Sequence, residues 1–232
     1  MLMNELILEN IHPLEWNERI SFECSGCGAC CRHIKESVPL ESLDAFRLAS
    51  YLKKQGYPVT CMDDVLCQYV VPVPINECGY FLYMLGTTAP DDACIFLKDN
   101  RCTIHDAKPR ACRTYPLSAE PTAPGFRYHL CTEKSHHFHG KTFKARDFMK
   151  RYFTQEDRAF VSLDFQSTVP VANLLRRIPK ERKKAALVLF LRYKYSDFNL
   201  NKPFMEQYER NTEKLLSALN TLAKNNCHSE AI

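Results

Sequence analysis

An α+β fold is what the sequence predicts: a small cysteine-rich part with short helices and a β-hairpin, followed by a mostly helical C-terminal region. Three observations carry that expectation. Apolar residues recur at helical spacing near residues 40–55 and again from residue 144 onward. Between these segments the composition turns to Val, Tyr and Phe, which suits strands. Cysteines crowd the N-terminal half, four of them within positions 24–31. A soft boundary near residue 140 divides the chain into a cysteine-cluster domain, 1–140, and a helical extension, 141–232, expected to pack on it.

Each element has its own signal. Residues 40–55 read as a helix with Leu43, Phe46 and Leu52 near one face and Gly56 as its stop. A short second helix follows, opened by Thr60 with Asp63 three residues on, a capping-box spacing. YVVPVPIN and CGYFLYML then read as strands, the first confined to an edge or to extended coil by Pro72 and Pro74. ACIFLKDNRCTIHD, residues 93–106, reads as a hairpin turning at KDNR, with Cys94 and Cys102 flanking the turn. Helices are expected at 144–159 around Phe148, Tyr152 and Phe153, at 181–195, and at 203–224, where Pro203 suits a first turn. No internal repeat, low-complexity segment or Gly/Ser linker interrupts the chain.

With 232 residues, 45% hydrophobic and 25% charged, the chain can bury a real core and does not need disulfides to fold. Glu5 and Glu9 stand where a signal peptide has a basic lead and an apolar run, which predicts a chain that stays in the cytoplasm. The longest apolar run, residues 185–191, falls far short of the roughly 20 residues that span a bilayer, so no membrane partner is expected. A reducing compartment disfavours structural disulfides, so the 12 cysteines read first as ligands.

Residues 141–200 hold 14 Lys and Arg against six Asp and Glu. The charges gather at LLRRIPKERKK, a helix junction, rather than forming an even stripe, and no nucleic-acid motif accompanies them. A solvated helix face is therefore preferred to a nucleic-acid surface. Tyr193, Tyr195 and Phe198 suit a core as readily as a stacking platform.

FECSGCGACCRHI, residues 22–34, contains Cys24, Cys27 and Cys30 in C-x2-C-x2-C spacing. One loop of this kind can wrap three corners of an iron–sulfur cluster while a remote cysteine supplies the fourth. Gly26 and Gly28 permit positive φ and let backbone N–H groups turn toward thiolate or sulfide. Cys31 directly follows Cys30; in extended backbone the two would point to opposite sides, which suggests a second site or a non-ligand thiol. Cys94, Cys102, Cys112 and Cys131 are the downstream candidates, making eight thiols in all, enough for two four-thiolate centres. Zinc is the competitor, but its structural sites usually draw on two short ligand pairs, and the second half of this set has none. His136, His137 and His139 could supply one imidazole near Cys131; as a polar run they read as solvent-exposed. Spacing favours a four-iron, four-sulfur cluster, with zinc kept as the alternative.

The run FECSGCGACC, followed far downstream by ACIFLKDNRCTIHDAKPRACRTYP, resembles the YkgJ-type cysteine-cluster proteins, a zinc- or iron-chelating family related to flagellin lysine N-methylase. The resemblance covers roughly residues 20–135. It implies that the metal ligands are Cys24, Cys27, Cys30, Cys31, Cys94, Cys102 and Cys112, with Cys131 as the trailing member. Lys108-Pro109 stands where the family commonly has Arg-Pro, a change that keeps the charge. Cys61, Cys67, Cys78 and Cys227 match nothing in the motif, and Cys61 and Cys67 read as small buried hydrophobes. Arg113 and Tyr115, beside Cys112, could neutralise and hydrogen-bond a ligand sulfur, or simply form a salt bridge and a packed ring.

Two functions stand at this point. One is a metal- or cluster-binding module with a structural, sensory or electron-transferring centre and a protein partner. The other, implied by the resemblance alone, is S-adenosylmethionine-dependent methylation of a lysine on a protein substrate. The residues give the second no independent support: no glycine-rich loop lies between a strand and a helix, and no nucleophile–base pair stands out.

Overall fold

A computed structural model describes residues 10–75 and 80–224. The chain forms two compact units that interleave along the sequence: residues 1–38 with 86–162, and residues 39–85 with 163–232. The mixed α+β class expected from the sequence is what is observed, with short antiparallel strand pairs and a helical C-terminal region. No described helix is long and apolar enough to cross a membrane.

The cysteine-rich unit is built on small sheets. Phe126–Cys131 is the central strand of three, paired antiparallel with Leu117–Pro121 and with Ile11–Pro13, so that Ile11 faces Cys131. Arg19–Ser21 pairs with Thr142–Lys144. Two very short ribbons follow the same antiparallel rule, Thr87–Thr88 with Ala93–Cys94 and Leu97–Lys98 with Arg101–Cys102. The second ribbon turns at Asp99 and Asn100, both with positive φ, the pair of conformations a two-residue hairpin turn demands. The hairpin is thus tighter than the sequence suggested. Cys102 lies on it, whereas Cys94 belongs to the neighbouring ribbon, because two left-handed residues close the turn within four positions.

In the second unit, helix Ser42–Lys54 buries Leu43, Leu48 and Leu52 and ends before Gly56, which has φ 80°. The next helix, Met62–Gln68, begins one residue later than the spacing implied. Its cap is Cys61, and Asp64 rather than Asp63 accepts hydrogen bonds from the backbone N–H of Thr60 and of Cys61. Both Cys61 and Cys67 are exposed, which corrects their reading as buried hydrophobes: a cap position and the outer helix face both look to solvent. Cys78 and Cys227 lie outside the described residues. Val70–Pro74 pairs with Phe81–Leu85 in a two-stranded ribbon, where Pro72 and Pro74 lie on the edge strand, while Phe81–Leu85 also bridges Pro39 through Met84.

The helical run expected at 144–159 is two helices, Ala145–Tyr152 and the start of Gln155–Arg177. The break is a cap. Asp157 accepts from the backbone N–H and hydroxyl of Thr154 at 2.8 and 2.7 Å, while the Thr154 hydroxyl accepts from the Asp157 N–H at 3.2 Å. Lys183–Leu191 runs into a π-helical turn, Arg192–Ser196, and Phe204–Lys224 ends the described chain. Tyr195 and Phe198 are buried, as is Lys194. The Lys194 ammonium bonds the Asp164 carboxylate and reaches the Tyr80 hydroxyl at 3.0 Å, and the Tyr208 hydroxyl donates to the same Asp164 oxygen at 2.5 Å. Burial opposes the charge on Lys194, but Asp164 beside it holds the ammonium well above the ordinary lysine range. Asp164→Asn leaves that cation without its counter-charge, and breaking a buried pair on one side costs about 3 kcal/mol. Denaturant unfolding of the variant is expected to register the loss.

Candidate metal centre

The loop carrying the first four cysteines is shaped by glycine. Gly26 and Gly28 have φ 67° and 73°, and Gly28 caps a single 3-10 turn, Ala29–Cys31, whose Cys31 N–H donates to the Gly28 carbonyl at 3.0 Å. Leu97 and the Asn100 carbonyl stand 3.2 and 3.3 Å from where a Gly28 side chain would begin, so the turn presses against the tight hairpin. Further bonds fix the approach: Arg32 donates to Asp91 and to Asn100 Oδ1, and the His33 and Ile34 N–H groups donate to the carbonyls of Asp91 and Asp92. The loop is thereby docked on the two ribbons that bear Cys94 and Cys102. Gly28→Ala is expected to destabilise the protein by about 1–2 kcal/mol, the cost of a left-handed non-glycine residue, and to lower metal content, checked by thermal unfolding and metal analysis.

Cys30 and Cys31 are not on opposite sides of an extended strand. In the 3-10 turn their sulfurs come to 3.9 Å, because the backbone there curls rather than alternates. A hydrogen bond from Cys31 pulls the Cys30 thiol down, and Cys31, which keeps the proton, is driven up. Other thiols reach this pair electrostatically. Cys31 feels Cys112 and Cys94; burial and then the negative charges of Cys102 and Cys30 push Cys94 up; burial, Cys30 and Cys24 raise Cys102, with Lys108 opposing. Cys94 is buried, Cys102, Cys112 and Cys131 are half-buried, and Cys24 and Cys27 are exposed. None of the described cysteines forms a disulfide.

Cys27, whose charge also reaches Cys30, has imidazoles as its nearest partners. Its sulfur lies 3.2 Å from His137 Nε2 and 3.7 Å from His136 Nε2. Among the described residues, these are the only three potential ligand atoms of His, Cys, Asp or Glu that all lie within 4.8 Å of one another. His137 is 2% exposed, which overturns the solvent-exposed reading of this histidine run for that ring; His136 and His139 are exposed. Phe22 packs edge-on against His137 and Tyr115, and the Tyr115 hydroxyl is 3.3 Å from His137 Nδ1. Burial pushes the Tyr115 phenol up, so it stays protonated. Arg113 does something else: it donates to Asp157 at 2.8 Å and to the carbonyls of Tyr152 and Lys108, a structural clamp. Tyr115 is the member of that pair that reaches a ligand candidate.

The His137 hydrogen bond, with help from the Ala29 backbone and His136, draws the Cys27 thiol down to about 6. In metal-free protein its alkylation rate is expected to be full at neutral pH and to fall as pH drops through about 6; His137→Ala should move the midpoint upward. A midpoint near an ordinary thiol in the unaltered protein would contradict the contact.

A family model described as CxxCxxCC, a "putative zinc- or iron-chelating domain", matches residues 23–144. That span holds every thiol and imidazole placed above. No curated protein and no solved structure matches the chain.

Proposed function

Because the chain belongs to the CxxCxxCC family of zinc- or iron-chelating domains, we propose that it holds an iron–sulfur cluster on thiols gathered around Cys30. We assign it to Cys24, Cys30, Cys94 and Cys102: Cys94 feels the charge of Cys102 and Cys30, Cys102 feels that of Cys30 and Cys24, and Cys30 also feels that of Cys27. The observation that carries this reading is their spread. A single zinc ion needs four thiolates at the corners of a tetrahedron about 3.8 Å on edge, given Zn–S bonds of about 2.3 Å. No three thiols of the set come within 4.8 Å of one another. A four-iron, four-sulfur core carries its own sulfides and fills a wider frame of cysteines.

The donor set suits such a group on its own chemistry. Burial and mutual repulsion hold Cys94 and Cys102 protonated, so they yield their protons only against a concentrated positive charge. Bound there, the cluster would supply a one-electron or structural centre. Cys31, next to Cys30, and Cys112, whose charge Cys31 feels, would lie near it, and the left-handed glycines shape the loop that carries Cys24 and Cys30.

Protein purified without oxygen is expected to contain iron and acid-labile sulfide in equal amounts and to show broad visible absorption that bleaches on reduction. Cys94→Ser and Cys102→Ser should each lose iron, sulfide and colour together, while Cys61→Ser keeps them. Stoichiometric zinc with no sulfide would overturn the assignment.

A further inference from the structure

Cys27, His136 and His137 differ from the thiol set in donor type and in how closely their ligand atoms converge, all within 4.8 Å, although Cys27 and His137 also reach Cys30 electrostatically. We infer that these three residues form a separate site for one zinc-class divalent ion, held by Cys27 Sγ, His136 Nε2 and His137 Nε2, with a fourth position open to solvent. The inference does not depend on the cluster.

The distances fit one ion. With Zn–S near 2.3 Å and Zn–N near 2.0–2.1 Å, a tetrahedral S···N edge is about 3.5 Å. The two observed separations, 3.2 and 3.7 Å, straddle that value. Mixed sulfur and imidazole donors suit zinc and cobalt, and three protein ligands with an exposed rim leave room for water. Cys27 and His136 are both exposed, so the open corner faces solvent.

The surroundings are those of a ligating imidazole. A metal-bound histidine almost always donates its other ring N–H to an oxygen that fixes its tautomer and orientation. His137 has that partner in Tyr115, whose hydroxyl oxygen can accept from Nδ1 at 3.3 Å while Nε2 faces Cys27. The ring is held by burial and by its edge contact with Phe22. The backbone joins the two loops as well, since the Glu23 N–H donates to the His137 carbonyl at 3.1 Å. On the far side, Gly140 has φ 75°, and a side chain there would begin 2.1 Å from Glu23 Oε2, so the histidine loop passes close over the first cysteine loop.

The test is a Co²⁺ titration of the full chain purified anaerobically, monitored by the thiolate-to-cobalt charge-transfer band and by d–d bands of four-coordinate cobalt, with iron and sulfide measured in parallel. Unaltered protein is expected to bind one Co²⁺ with a single-thiolate spectrum. His136→Ala, an exposed position whose loss should not disturb folding, should lose that spectrum and leave iron and sulfide unchanged. Tyr115→Phe, which keeps the ring and removes only the hydroxyl, should weaken Co²⁺ binding by about 10-fold or more. Cys94→Ser should retain the cobalt spectrum while losing the cluster, which separates failure of this site from failure of the cluster assignment. Equal Co²⁺ binding by His136→Ala and unaltered protein, or no single-thiolate cobalt spectrum in the unaltered protein, would overturn the inference.

Discussion

Thiols brought this close together cannot all shed their protons without a cation among them, and that constraint orders the cysteine-rich unit. Each ionised sulfur raises the cost of ionising the next, and partial burial of Cys94 and Cys102 adds the loss of hydration. In the Cys30–Cys31 pair the two sulfurs stand 3.9 Å apart, so that charge on one disfavours charge on the other. A bound cation removes that conflict, so metal binding and the native arrangement favour each other.

What keeps the arrangement in place is mostly backbone. The tight hairpin, the left-handed turn at Gly28 and the Arg32 contacts dock the first loop through hydrogen bonds that need no metal. The histidine loop is fixed by other means, a buried ring, a tyrosine hydroxyl and an aromatic edge. Such support sets ligand direction before any ion arrives, which lowers the ordering that binding must impose.

The legibility of the sequence follows the range of the interactions involved. Helix 42–54 and the C-terminal helix announce themselves through local periodicity, and the hairpin through its polar turn. Boundaries set by a single side chain were harder: the caps at Cys61 and Thr154 each depend on one aspartate whose partner is decided by geometry, not spacing. The cysteine loop was visible because its donors sit within eight positions. His137 was legible only as one of three candidate imidazoles near Cys131; its pairing with Cys27, 110 residues away, and its burial under Phe22 and Tyr115 depend on packing that no local pattern records. The signal that existed was CRTYP: a tyrosine beside a ligand candidate needs a polar partner for its hydroxyl, and a histidine run about 20 residues on could supply it.

Sorting donors by kind is the physical argument behind the two proposed sites. An all-thiolate set is soft and strongly anionic, which suits iron with sulfide and disfavours loss of the centre to solvent. A thiol with two imidazoles carries a single negative charge, so a divalent ion there keeps net positive charge and attracts a water or an anionic ligand to its open corner. Cys27 is the pivot, because it sits between Cys24 and Cys30 in the sequence yet turns toward the histidines. Gly26 and Gly28, one on each side of it, give the backbone the two left-handed residues that such a reversal of direction requires. On the proposed assignment, the C-x2-C-x2-C-C spacing would turn Cys27 toward the histidines while Cys30 and Cys31 stay together.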